Sequence, residues 1–181
     1  DYPLKDGRPT SKGIEQYIED KADDLVREFQ DFIGDTLYNV WIYAENLMQY
    51  EIHDSLELGR YFPNEIMITT EELFLAYELA DLTRSQRASI TETNKFVKST
   101  VFHELTHEYI NQIRLEMLHV DKINVHKAYQ TYIWILRSHE TFGSIFIEEG
   151  ICEYTSEKMG EIIPPQNVPV PKSVEDLTKK E

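Results

Sequence analysis

Val97-Lys98-Ser99-Thr100-Val101-Phe102-His103-Glu104-Leu105-Thr106-His107-Glu108-Tyr109-Ile110 lies inside a stretch, Asn94 to Leu118, that contains neither glycine nor proline and predicts one long helix. Val97, Val101 and Leu105 recur every four residues as an apolar stripe, and His103 and His107 recur at the same interval as a separate stripe. A helix turns about 100° per residue, so members of each stripe share a face. Such a helix buries one side and offers the other to a cleft. Two imidazoles on the cleft side can grip one metal ion. Zinc held this way lowers the pKa of its bound water to about 7, and a glutamate beside the first histidine can take that water's proton. Glu104 occupies that place. The competing reading is a chance pentapeptide on a solvated helix.

A catalytic zinc needs a third protein ligand and an open fourth position. Glu149 is the candidate, in Gly143-Ser144-Ile145-Phe146-Ile147-Glu148-Glu149-Gly150-Ile151-Cys152-Glu153-Tyr154, a helix expected to start with Ser144 as its cap. Glycine inside a helix costs about 1 kcal/mol relative to alanine, so Gly150 predicts close approach of another backbone. Glu153 lies four residues on from Glu149, where a carboxylate can hydrogen-bond the free ring nitrogen of a ligating histidine. Glu148 is adjacent, so the ligand assignment could shift by one residue. The alternative for all three is an acidic solvent face.

These residues resemble the gluzincin metallopeptidases, the thermolysin-like group in which HExxH is followed by a separate helix bearing a glutamate ligand. In the aminopeptidase branch that glutamate directly precedes a glycine, in a pattern like Glu-Gly-aromatic-Ala-Glu-Tyr. Glu149-Gly150-Ile151-Cys152-Glu153-Tyr154 is similar to it. The resemblance implies Glu149 as ligand, Glu104 as general base and Glu153 as the acidic residue one turn beyond the ligand. It covers about a third of the chain, mainly the two motif helices. Residues 108–148 form a longer interval than in compact members of the group, so an extra helical element must fit between the ligands. The stretch after Glu149 is too short for the large downstream domain that supplies the transition-state donor in many relatives.

Composition agrees with one small catalytic domain, 1–160, followed by a Pro-rich tail, 161–181. Hydrophobic residues make up 41% and aromatics 12% of the 181 residues, which argues against disorder. A formal net charge of −15 disfavours nucleic-acid phosphate and anionic membranes as partners and leaves peptide or protein substrates. Cys152, the only cysteine, excludes an intrachain disulfide and reads as small core filler beside the site, with a ligand role as the minor alternative. No apolar run approaches the roughly 20 residues of a membrane helix. The first residue is Asp1, so the expectation is a soluble protein, cytoplasmic or secreted after removal of a leader.

Ser11 to Ile33 predicts an amphipathic helix ended by Gly34. Strands are expected at Asn39 to Ala44, Leu56 to Phe62 and Glu65 to Thr69, with Pro63-Asn64 as a turn, giving a small, mainly antiparallel sheet ahead of the metal helix. Peptidases of this kind commonly hold an extended substrate on a sheet edge. Ile66-Met67-Ile68-Thr69 is the candidate edge, against an ordinary half-buried strand. Thr70 to Leu82 predicts a helix, Thr83 to Thr93 a loop or turn, and Val120 to Ser138 a further helix with an aromatic core stripe.

Amide hydrolysis also needs a group to stabilise the oxyanion and protonate the leaving amine. His119, His126, His139, Tyr129 and Tyr132 lie between the expected ligands; His139, placed in the loop before the glutamate helix, is preferred, against a surface histidine. Tyr154 sits about 140° around the helix from Glu149 and is expected to pack instead. In the tail, four prolines within Pro164–Pro171 dictate an extended segment, either a linker or strap, or an occupant of the cleft that keeps the enzyme latent. The sequence therefore predicts an α+β, helix-rich zinc metallopeptidase. Two alternatives stay open: an inactive gluzincin-like binding or structural module, and a helical interaction protein with a fortuitous motif.

Overall fold

A computed structural model describes residues 4–5, 8–9, 11–46, 59–70, 90–139 and 141–159. Strands β1 (Leu4–Lys5) and β2 (Arg8–Pro9) pair antiparallel before helix α1 (Ser11–Ile33). A three-stranded sheet follows, from β3 (Trp41–Glu45), β4 (Gly59–Phe62) and β5 (Glu65–Thr69). Helices α2 (Ile90–Met117), α3 (Val125–His139) and α4 (Phe142–Met159) complete the α+β fold. None of the described helices is long and apolar enough to cross a membrane.

Helix α1 has the limits its sequence predicts. Its buried face is Ile14, Tyr17, Ile18, Leu25 and Phe29, and Gly34 stops it with φ at 70°, a conformation that costs glycine nothing. The sheet departs from expectation. Its order is β3-β5-β4, with β3 parallel to β5 and β4 antiparallel to it, so it is mixed instead of mainly antiparallel. Ile66–Thr69 is therefore no edge: β5 is the central strand, bonded on both sides and buried from Ile66 onward. The edge beside α2 is β4, joined to β5 by Pro63-Asn64 with Asn64 at φ 71°.

Val97, Val101, Phe102 and Leu105 of α2 close a single core with the α1 face, Leu37, Ile66 and Ile68. Phe29 stacks on Phe102 with ring centroids 6.4 Å apart. A polar clamp holds the sheet to α2 as well. Glu108 accepts hydrogen bonds from the Asn64 backbone at 2.9 Å and from Gln112 at 2.7 Å, and Gln112 also reaches Tyr38. The tight β4–β5 turn is thus pinned by the residue that directly follows the HExxH segment.

Helix α2 starts at Ile90, so Ile90–Thr93 are helical where a loop is expected. Helix α3 starts at Val125, five residues later than predicted. Asp121 accepts from the Ile123 backbone and Asn124 caps the helix through Lys127, so short polar side chains hold residues 121–124 out of the helix. Helix α4 is capped by Thr141, not Ser144: each residue's side chain bonds the other's backbone N–H, a reciprocal capping pair. The expected helix beyond Thr70, the segment 83–89 and the tail 161–181 lie outside the described residues.

Candidate metal centre

Helices α2 and α4 run antiparallel across the site, as the pairing of His103 with Glu153 and of Arg114 with Glu148 shows. Glu149 faces both histidines. Its Oε2 lies 3.2 Å from His103 Nε2 and its Oε1 lies 3.3 Å from His107 Nε2. The two contacts use different oxygens of one carboxylate and are ion-pair distances; they bring together nitrogen and oxygen donors of the types zinc takes.

The opposite ring nitrogens are also held. His107 Nδ1 meets Glu148 Oε1 at 2.8 Å, and His103 Nδ1 lies 3.2 Å from Glu153 Oε1. That Glu153 oxygen is buried and closes no regular hydrogen bond, so its hold on His103 is one of proximity and charge. A carboxylate at Nδ1 fixes the tautomer that presents the Nε2 lone pair to a metal. Glu153 thus stands where the sequence predicts a supporting carboxylate. Glu148 takes a matching place that the sequence left unassigned, and Arg114 pairs with its second oxygen.

Proton affinity in the metal-free site follows from these contacts. Burial by itself lowers the His103 pKa, but the Glu149 and Glu153 carboxylates outweigh it and raise it to about 9. His107 is likewise disfavoured as a cation by burial, yet contacts with Cys152, Glu148 and Glu149 lift it well above the usual histidine range. Burial works against ionised Glu149, and the two histidines overcome it to hold the carboxyl well below the usual carboxylate range. The raised histidines and the lowered Glu149 carboxyl thus favour ionised partners that balance one another's charge.

Cys152 is fully buried, and burial raises its thiol to about 11. Donor atoms of His103, His107 and Cys152 lie within 4.8 Å of one another. Two donor sets therefore share the histidines, one completed by Glu149 and one by Cys152. The three-residue donor cluster found among the described residues is the one completed by Cys152, and the Glu149 carboxylate reaches the same two histidines at ion-pair distance.

Glu104 is buried against the edge strand. A Cβ built on Gly59 of β4 would come within 2.7 Å of Glu104 Oε1 and 2.9 Å of its Cγ, so only glycine lets the strand lie this close. Gly59 is a site residue that sequence reading missed; its one signal is a glycine in an expected strand. Among the described residues none makes the close backbone approach predicted for Gly150, which is exposed with nothing within 4 Å of the position of a Cβ.

Among the expected proton donors, His119 lies in the exposed turn after α2 with φ at 55°, His126 is exposed and bonds Gln130, and Tyr129 is exposed on α3. His139 closes α3 instead of lying in a loop, and its side chain is outside the described residues. Of the four whose side chains are described, Tyr132 is linked to the histidines through Tyr61: it meets Tyr61 edge-on at 5.6 Å, and Tyr61 stacks on His107 at 5.9 Å. Tyr61 went unnoticed in the sequence. Burial and then the neighbouring Glu108 carboxylate raise its phenol well above 10. Tyr154 is exposed beneath Lys158 and does not pack into the core.

Comparison with protein-family models, with characterised proteins and with solved structures finds no match to this chain.

Proposed function

We propose that the chain is a zinc-dependent peptidase of gluzincin-like design, with His103, His107 and Glu149 as the metal ligands. The observation that supports this most is the double arrangement of carboxylates: one between the two Nε2 atoms, and one at each Nδ1. A chance HExxH on a solvated helix gives no reason for both faces of both rings to be occupied. Zinc held there would polarise a peptide carbonyl and lower the pKa of an attacking water to about 7.

The remaining steps belong to the protein. Glu148 keeps the His107 ring in one tautomer and orientation through its hydrogen bond, and Glu153 adds negative charge beside His103 Nδ1. Glu104, buried between His103 and β4, takes a proton from the attacking water as its oxygen bonds to the carbonyl carbon. The same carboxyl then returns the proton to the amide nitrogen as the C–N bond breaks. Strand β4, the edge next to Glu104, offers its backbone to an extended peptide, the role the sequence gave to Ile66–Thr69.

Glu104→Gln is expected to lower hydrolysis of a peptide library by about 10²- to 10⁴-fold with zinc content and folding unchanged. Full activity in a variant free of contaminating protease would remove Glu104 as the base. A second reading, an inactive module with a closed structural site, is favoured by one observation: Cys152 gives the protein a fourth donor.

A further inference from the structure

Helix α4 carries Glu149 and Cys152 three residues apart, and α2 carries His103 and His107 four apart. Both intervals bring side chains to one helix face. The Cys152 sulfur is buried and lies within 4.8 Å of a ring nitrogen of both histidines, and the Glu149 carboxylate reaches the Nε2 atoms of the same two rings. A tetrahedral zinc places sulfur and nitrogen ligands about 3.6 Å apart, so side-chain adjustment of about 1 Å brings the cluster from its 4.8 Å limit to ligand spacing. The outer groups are built for such an ion too, since neither Nδ1 is left to compete for it. A thiol used only as core filler has no need of two imidazoles whose far nitrogens are already held.

We infer that Cys152 is a fourth protein ligand of the proposed centre, and that hydrolysis requires the sulfur to leave so that a water can take its position. This rests on the peptidase reading for its second half and on the donor cluster alone for its first. His103, His107, Glu149 and Cys152 would then hold the ion in the resting protein, a donor number like that of structural zinc sites, and Glu104 would serve as the base once the sulfur leaves. Cys152 loses its proton on binding the ion and regains one on leaving. No oxidant or reductant enters the exchange.

The test begins with cobalt(II) in place of zinc in the full chain. Wild type is expected to bind one cobalt with the intense near-ultraviolet band of sulfur-to-cobalt charge transfer, and Cys152→Ala to bind one without it. Zinc affinity should fall by at least the roughly 10- to 100-fold that loss of an outer carboxylate costs. Peptide hydrolysis by Cys152→Ala should rise several-fold over wild type and disappear again in Cys152→Ala/Glu104→Gln.

Cobalt bound without the sulfur band overturns the ligand assignment and leaves the three-ligand centre standing. The wild-type spectrum decides this even where the variant does not fold, and Cys152→Ser supplies a nearly isosteric second variant. The band together with equal or lower hydrolysis in the variants overturns the opening step. The band with every protein inert overturns the peptidase reading in favour of a closed structural site. Failure of wild type to bind any metal overturns both.

Discussion

On one side of α2, Val97, Val101, Phe102 and Leu105 meet α1 and β5 with almost no exposed surface; on the other, His103 and His107 meet three carboxylates of α4. The first contact is apolar, non-directional and without charged groups. The second is ionic and depends on the protonation of its members. One helix therefore joins an unconditional half of the molecule to a conditional half. A substitution on the first side should unfold the protein, and one on the second should change what the protein binds.

The largest effect is expected at Phe102, which is completely buried and stacked on Phe29. Phe102→Ala should cost about 3–5 kcal/mol of folding stability, measured by urea unfolding with chelator present. Glu149→Gln under the same conditions should cost far less while abolishing tight zinc binding. Equal losses in the two variants would break the distinction between the halves.

The apolar half was also the half legible in the sequence. Ser11, Gly34 and the four-residue stripe at Val97, Val101 and Leu105 are local signals, and α1 and the buried face of α2 follow them. Strand order is not local. Nothing within Ile66–Thr69 says that β3 lies parallel to it, so a central strand was read as an edge. In the candidate site, the sequence named His103 and His107 from helical spacing, Glu149 from its place before Gly150 and the gluzincin resemblance, and Glu153 from its spacing to Glu149, and these are brought together. It left Glu148 unplaced because adjacent helical residues diverge by about 100°, which reads as a choice between them. The antiparallel packing of α4 instead uses both, one at Nε2 of His107 and one at Nδ1. Gly59 and Tyr61 were invisible for the same reason as the strand order, since they matter only through what α2 sets against them.

Gly59 gives a sharper test of where the two halves meet. Gly59→Ala should push Glu104 away, because the added methyl would overlap its carboxylate and the Thr100 methyl, 2.9 Å distant. A displacement of about 1 Å in a reacting group can cost about 100-fold in rate. Peptide hydrolysis should fall by that order with zinc content unchanged. Retention of full activity would mean that Glu104 tolerates being moved and is not a positioned base.

The smallest effect concerns pH, and it probes the conditional half directly. In the metal-free protein, burial opposes a charged His103, but its carboxylate partners raise its pKa from 6.5 to about 9. Folding therefore binds a proton that the unfolded chain releases near 6.5. The stabilisation is complete below pH 6.5 and is lost as pH rises to about 9, and His107 acts in the same direction. Glu149 and Glu148, both lowered, act oppositely: their contribution is present above about pH 4.5 and is lost as pH falls. Unfolding by heat in chelator should show the metal-free protein most stable between about pH 4.5 and 6.5 and weaker by about 1–3 kcal/mol at pH 9. With zinc the alkaline decline should vanish, because the metal takes neutral histidines and binding it releases their protons. A metal-free protein whose stability is flat from pH 6.5 to 9 would show that the histidines carry no proton to exchange for a metal.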